Sequence, residues 1–98
     1  MVETEEEIAE QMEKFLRGFL KQNPDFNGRD FYVSGESYAG KYVPAVTHHL
    51  LFTADEIELD LKGISIGNGV VDPYSQEPLQ AQFAHDSGLI DDRELAQY

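Results

Sequence analysis

The chain has 98 residues, 41% of them hydrophobic and 27% charged, with no cysteine and a formal net charge of −12. That length suits one small domain, and the lack of cysteine excludes a disulfide framework or a thiolate metal site. The negative charge opposes binding to nucleic acid or to an anionic membrane, since both need neutralising cations, and it favours work in acidic surroundings where part of the self-repulsion is titrated away.

In chain order, Thr4-Glu5-Glu6-Glu7 reads as a capping box, with Thr4 as N-cap and Glu7 reaching back. Ile8, Met12, Phe15 and Phe19, joined by Leu16 and Leu20, recur at helical spacing and predict an amphipathic helix of about four to five turns. The early glutamates suit the positive end of its dipole and read as a solvated first turn rather than a metal cluster. Asn23-Pro24 ends the helix and Asn27-Gly28 makes a turn. Phe31-Tyr32-Val33-Ser34 is short and apolar, as expected of a strand buried on both faces. A helix is predicted over residues 38–52, with Pro44 removing one backbone donor early in it and Tyr42, Val43, Val46, Leu50 and Leu51 on its apolar side. Leu59, Leu61, Ile64 and Ile66 mark a second strand, interrupted at Gly63. Strand, helix and strand predict a β-α-β unit with parallel strands and a right-handed crossover, an α/β fold class. Asn68-Gly69 and Asp72-Pro73 are turn chemistry. Residues 77–85 read as a helix stopped at Ser87-Gly88, and Asp91 or Asp92 caps a last short helix.

The most informative string lies between the first strand and the helix after it. Gly35-Glu36-Ser37-Tyr38-Ala39-Gly40 places a serine between small residues on a strand-to-helix turn. Such a turn lifts a hydroxyl above a sheet for nucleophilic attack. The usual spacing is Gly-x-Ser-x-Gly; here Ala39 takes the place of the second glycine and Gly40 follows. Residues two before and two after the serine must be small because strand and helix close up there, and Gly40 leaves further room. The Tyr38 N–H falls at the helix start, where dipole and unpaired donors favour a developing oxyanion. The plain alternative is a serine in an ordinary helix-capping turn.

The longer context favours the nucleophile. The run from Phe31 through Gly35-Glu36-Ser37-Tyr38-Ala39-Gly40 to Pro44 resembles the nucleophile segment of the serine carboxypeptidases, a branch of the α/β-hydrolase fold. The block from Leu61 through Ile66-Gly67-Asn68-Gly69 to Pro73 resembles the next core strand of that family and its turn, and the resemblance spans nearly the whole chain. It implies a partial α/β-hydrolase core over residues 1–98, Ser37 as nucleophile, Tyr38 N–H as one oxyanion donor, and Gly35, Ala39 and Gly40 as elbow residues. It also implies that Glu36 binds the substrate's terminal carboxylate, a neutral carboxyl sharing a proton with it. No metal or other cofactor is implied, and the substrate is a peptide or protein C-terminus.

The family implies a secretory, vacuolar, lysosomal or extracellular setting, whereas the opening Met1-Val2-Glu3-Thr4-Glu5 is unlike a signal peptide. Together with the missing disulfides, this reads as a segment of a larger domain.

The chain's histidines do not supply an obvious base. His48 and His49 lie eleven and twelve residues beyond Ser37, about 16–18 Å along a helix, and read as surface or packing residues. No motif supports His85, and Asp72 reads as a turn residue before Pro73. By resemblance the triad aspartate and histidine come later in the family and the second oxyanion segment earlier, so the chain alone is expected to be inactive. Two other readings stay open: an acyltransferase using the same acyl-enzyme with an alcohol acceptor, and a non-catalytic fragment or binding module. Two parallel strands also leave both sheet edges unpaired. Self-association, complementation by missing parts, or marginal folding is expected.

Overall fold

In the computed structural model, which describes residues 2–54 and 57–98, helix α1 spans Glu5–Gln22. Thr4 caps it by accepting from the Glu7 N–H at 3.2 Å. The expected reciprocal bond is displaced by one residue, because the Glu7 carboxylate accepts from Glu3 N–H rather than from Thr4. Asn23 closes the helix, and the fixed φ of Pro24 opens a 3-10 turn over Pro24–Phe26. Gly28 then takes a φ of +68°, the left-handed conformation that suits glycine.

Strand β1 (Asp30–Glu36), helix α2 (Ala39–Phe52) and strand β2 (Asp60–Gly67) form the β-α-β unit, with β1 and β2 parallel. The pairing runs from Asp30 opposite Asp60 to Glu36 opposite Gly67 and is irregular between Phe31 and Tyr32, where Lys62 is the extra residue. This bulge lies beside Gly63, over which the Tyr32 ring sits: a Cβ there would be 3.6 Å from Tyr32 Cδ1. It is the physical content of the interruption expected at Gly63.

The core lies on one face of the sheet. Val43, Val46 and Leu50 of α2 and Ala9, Leu16 and Leu20 of α1 are buried, and Phe31, Ile57 and Leu59 pack against the cluster of Ala9, Leu16, Val46 and Leu50. Two sequence expectations need correction. Strand β1 alternates half-buried and exposed residues instead of being buried on both faces, because helices cover one face only among the described residues. In α1 the buried stripe runs through Ala9, Leu16 and Leu20, while Phe15 is 64% exposed. The contact with α2 turns the helix by roughly one residue from its most hydrophobic face.

Glu13 sits within that buried stripe. Its carboxylate accepts from Arg17 at 2.6 Å and meets His49 Nε2 of α2 at 2.5 Å. The His49 hydrogen bond first, and the Arg17 hydrogen bond second, hold its pKa below the ordinary glutamate value.

Beyond β2 the chain forms α3 (Pro73–Gln76), α4 (Pro78–Asp86) and α5 (Asp92–Leu95). The expected helix over 77–85 is α4, and the four-residue α3 starts at Pro73 of the expected Asp72-Pro73 turn. Asp91 caps α5 with a complete capping box to Glu94. Among the described residues these helices pack on one another and not on α1, α2 or the sheet.

Candidate active site

The parallel strands deliver two turns to the same end of the sheet. After β1 comes Ser37, and after β2 comes Asn68. Both are non-glycine residues with positive φ, +60° and +45°. A left-handed serine is disfavoured by roughly 1–3 kcal/mol and persists only where its surroundings hold it. Here the hold is explicit. Ser37 N–H donates to Gly67 O at 3.0 Å, and Ser37 O accepts from Gly40 N–H at 3.0 Å and Val70 N–H at 2.9 Å. Both peptide groups of the serine are thus fixed, one of them from both sides, while its side chain stands at an exposed position.

The small residues have distinct tasks. A Cβ on Gly35 would clash with the Ala39 Cβ and lie 3.0 Å from Val43 Cγ2, so strand and helix do meet there as the spacing demands. Gly40 is needed for another reason than the expected room beside the helix. Its missing Cβ would be 2.7–2.8 Å from the Val70 backbone, which belongs to the turn after β2.

Tyr38 is the N-cap of α2, without a side-chain cap bond, and its N–H meets no acceptor among the described residues. The donor lies at the start of a helix, where the dipole and unpaired N–H groups favour an anion. The Tyr38 ring packs edge-on against Tyr42 with centroids 5.1 Å apart, and its hydroxyl lies 3.5 Å from Glu5 Oε1. The charge of Glu5 raises the Tyr38 pKa above the ordinary phenol value. Glu36 is the last residue of β1 and exposed, its Cγ beside Gly67.

The histidines are engaged elsewhere. His49 holds Glu13, His48 stacks on Phe52 with centroids 5.0 Å apart, and His85 Nε2 meets Asp92 Oδ1 at 2.7 Å. Among the described residues, none hydrogen-bonds Ser37. Asp72 is a turn residue, accepting from the Ser75 hydroxyl and N–H.

Sequence reasoning missed the side chains that brace the second turn. Gln76 Oε1 accepts from Val71 N–H at 2.9 Å and Asp72 N–H at 3.0 Å, and its Nε2 donates to Gly69 O at 3.0 Å. Lys41 Nζ donates to Val71 O at 2.9 Å. The available signal was a glutamine four residues after Asp72, one helical turn away.

A family model described as serine carboxypeptidase matches residues 1–98. The chain belongs to the serine carboxypeptidase family. Probable serine carboxypeptidase CPVL of Homo sapiens is 41% identical over 92 residues, covering 92% of this chain and 19% of its own length. Serine carboxypeptidase-like 50 of Arabidopsis thaliana is 44% identical over 84 residues, 86% of this chain and 19% of that protein. The solved structure of Kex1(delta)p, a prohormone-processing carboxypeptidase from Saccharomyces cerevisiae, superposes with a TM-score of 0.80 at 34% identity, over 93% of this chain and 20% of that one. The chain thus spans about a fifth of the length of these serine carboxypeptidases. Its parallel strands and flanking helices are a partial α/β-hydrolase core.

Proposed function

We propose that these residues are the nucleophile-bearing segment of a serine-type carboxypeptidase domain. The observation that carries the reading is the left-handed, exposed Ser37 between β1 and α2 in a chain of this family. In the reaction, Ser37 Oγ attacks the carbonyl carbon of the last peptide bond while its proton passes to a base. Tyr38 N–H is one donor to the resulting oxyanion. Collapse breaks the C–N bond, the departing amine takes the proton, and water then hydrolyses the acyl-serine.

Glu36, at the end of β1 beside the nucleophile, binds the substrate's terminal carboxylate by hydrogen bonding. The base, its acid partner and the second oxyanion donor come from chain beyond these 98 residues. The substrate is a peptide or protein C-terminus. The likeness to a prohormone-processing carboxypeptidase supports a workplace in the secretory pathway, in the vacuole or lysosome, or outside the cell.

The test uses the complete carboxypeptidase that carries this segment, treated with a fluorophosphonate and with an N-blocked dipeptide. Labelling at Ser37 and release of the terminal residue are expected, with Ser37→Ala losing at least about 10³-fold in rate. Glu36→Ala should raise KM for the dipeptide. An enzyme that labels elsewhere, or a Ser37→Ala variant that stays active, refutes the assignment. Transfer to an alcohol in place of hydrolysis would make it an acyltransferase.

A further inference from the structure

We propose that Gln76 is a positioning residue for Ser37, acting through the turn after β2; this rests on Ser37 being the nucleophile. The path is short and made of hydrogen bonds. Ser37 O accepts from Val70 N–H, and Ser37 N–H donates to Gly67 O, so the turn over residues 67–70 holds both sides of the serine. That turn is itself in an uphill conformation at Asn68, with φ of +45°. It needs an outside support to keep Val70 N–H aimed at Ser37.

Gln76 supplies that support from the end of α3. A single planar amide takes two backbone donors, Val71 and Asp72 N–H, and gives one proton to Gly69 O. It therefore fixes the backbone on either side of Val70. A primary amide does this naturally, because acceptor and donor sit side by side on one flat group without charge. The reach is set locally: Pro73 starts α3 with its fixed φ, and Asp72 O accepts from both Ser75 and Gln76 N–H, placing the glutamine one turn above the loop. Lys41 grips Val71 O from α2, so the turn is held between the helix that follows the serine and the helix that follows the turn. Gln76 is exposed and lies outside the buried core, so its loss leaves the core side chains in place.

A displacement of about 1 Å at a reacting atom can cost about 100-fold in rate. In the complete carboxypeptidase, Gln76→Ala is therefore expected to lower kcat and the fluorophosphonate labelling rate by about 10-fold or more, with KM nearly unchanged. Gln76→Glu separates positioning from bulk stability. A carboxylate keeps the two acceptor bonds and repels Gly69 O, whereas a neutral carboxyl restores the donor. The labelling rate of Gln76→Glu relative to the unaltered enzyme should therefore rise as pH falls through the carboxyl range, the enzyme's own titration dividing out. Unchanged labelling by Gln76→Ala, or a relative rate for Gln76→Glu that stays flat with pH, overturns the proposal. If the unaltered enzyme does not label at Ser37, the nucleophile reading fails first and this proposal falls with it.

Discussion

At the residue scale the elbow is a problem of missing atoms, and Gly40 is its sharpest case. An added methyl would sit 2.7–2.8 Å from the O, C and N of Val70, and a backbone cannot swing aside as a side chain can. Overpacking of this kind costs about 1–3 kcal/mol, and relief by moving Val70 would loosen its bond to Ser37 O. Gly18 makes a matched control, since it lies inside α1 with nothing within 4 Å of its absent Cβ. In the complete enzyme, Gly40→Ala should lower the thermal midpoint and slow serine labelling, whereas Gly18→Ala should gain about 0.5–1 kcal/mol of helix stability at unchanged labelling. A Gly40→Ala variant as stable and as reactive as Gly18→Ala would show that the close approach is absent. The string from Gly35 to Gly40 was legible because strand, turn and helix follow one another within it. The partners of Ser37, at Gly67 and Val70, were not, because hydrogen-bond partners about thirty residues away leave no local pattern; the brace at Gln76 is local, four to seven residues from its partners, but its purpose depends on that distant contact.

At the element scale, periodicity and punctuation placed α1, β1, α2 and β2 to within one or two residues. Period alone could not say which side of α1 meets α2, since both faces carry apolar residues. Nor could it extend β1 to the polar Asp30 and Glu36, which are strand residues through pairing with Asp60 and Gly67. The C-terminal helices show what a short element depends on. Asp92, the first residue of α5, is tied to His85 of α4 at 2.7 Å, with Asp86 on the other ring nitrogen at 3.4 Å. The Asp92 hydrogen bond first, and the Asp86 hydrogen bond second, raise the His85 pKa above the ordinary histidine value. A raised folded-state pKa gives a contribution that is whole below the unfolded value and lost as pH rises through the folded one. The α4–α5 contact should therefore loosen on moving from acid to alkaline pH. Proton NMR of the His85 ring should give a midpoint above that of free histidine, with Asp92→Asn lowering it most and Asp86→Asn less. Equal effects of the two, or a midpoint at or below the free value, would contradict the geometry.

At the scale of the whole molecule the chain is extended and open. The chain extends 60 × 26 × 20 Å with a radius of gyration of 18.8 Å, against about 13 Å for a compact chain of this length. Its accessible surface is 7524 Å², roughly a third more than the about 5,700 Å² typical of a folded monomer of this mass. Part of the excess lies on α4 and the turn after it, where Leu79, Phe83 and Leu89 are each more than 60% exposed. Another part lines a groove of about 380 Å³ formed by Met12, Leu16, Phe31, Val33, Tyr42 and Val46. Two strands also leave a row of unpaired backbone groups on each sheet edge. Among the described residues, six buried apolar side chains are a small return for ordering this much chain, and ordering costs about 1–2 kcal/mol per residue. The charge of −12 adds self-repulsion to any further compaction. The isolated 98-residue chain is therefore expected to lose its helical circular dichroism over a broad temperature range, to bind a hydrophobic dye at room temperature, and to self-associate more as salt screens its charge. Sedimentation, a thermal melt and dye fluorescence on one sample decide the matter. A monomer that melts sharply and excludes the dye would mean that α1, α2 and two strands suffice as a folding unit, and that the open groove and sheet edges cost far less than their area implies.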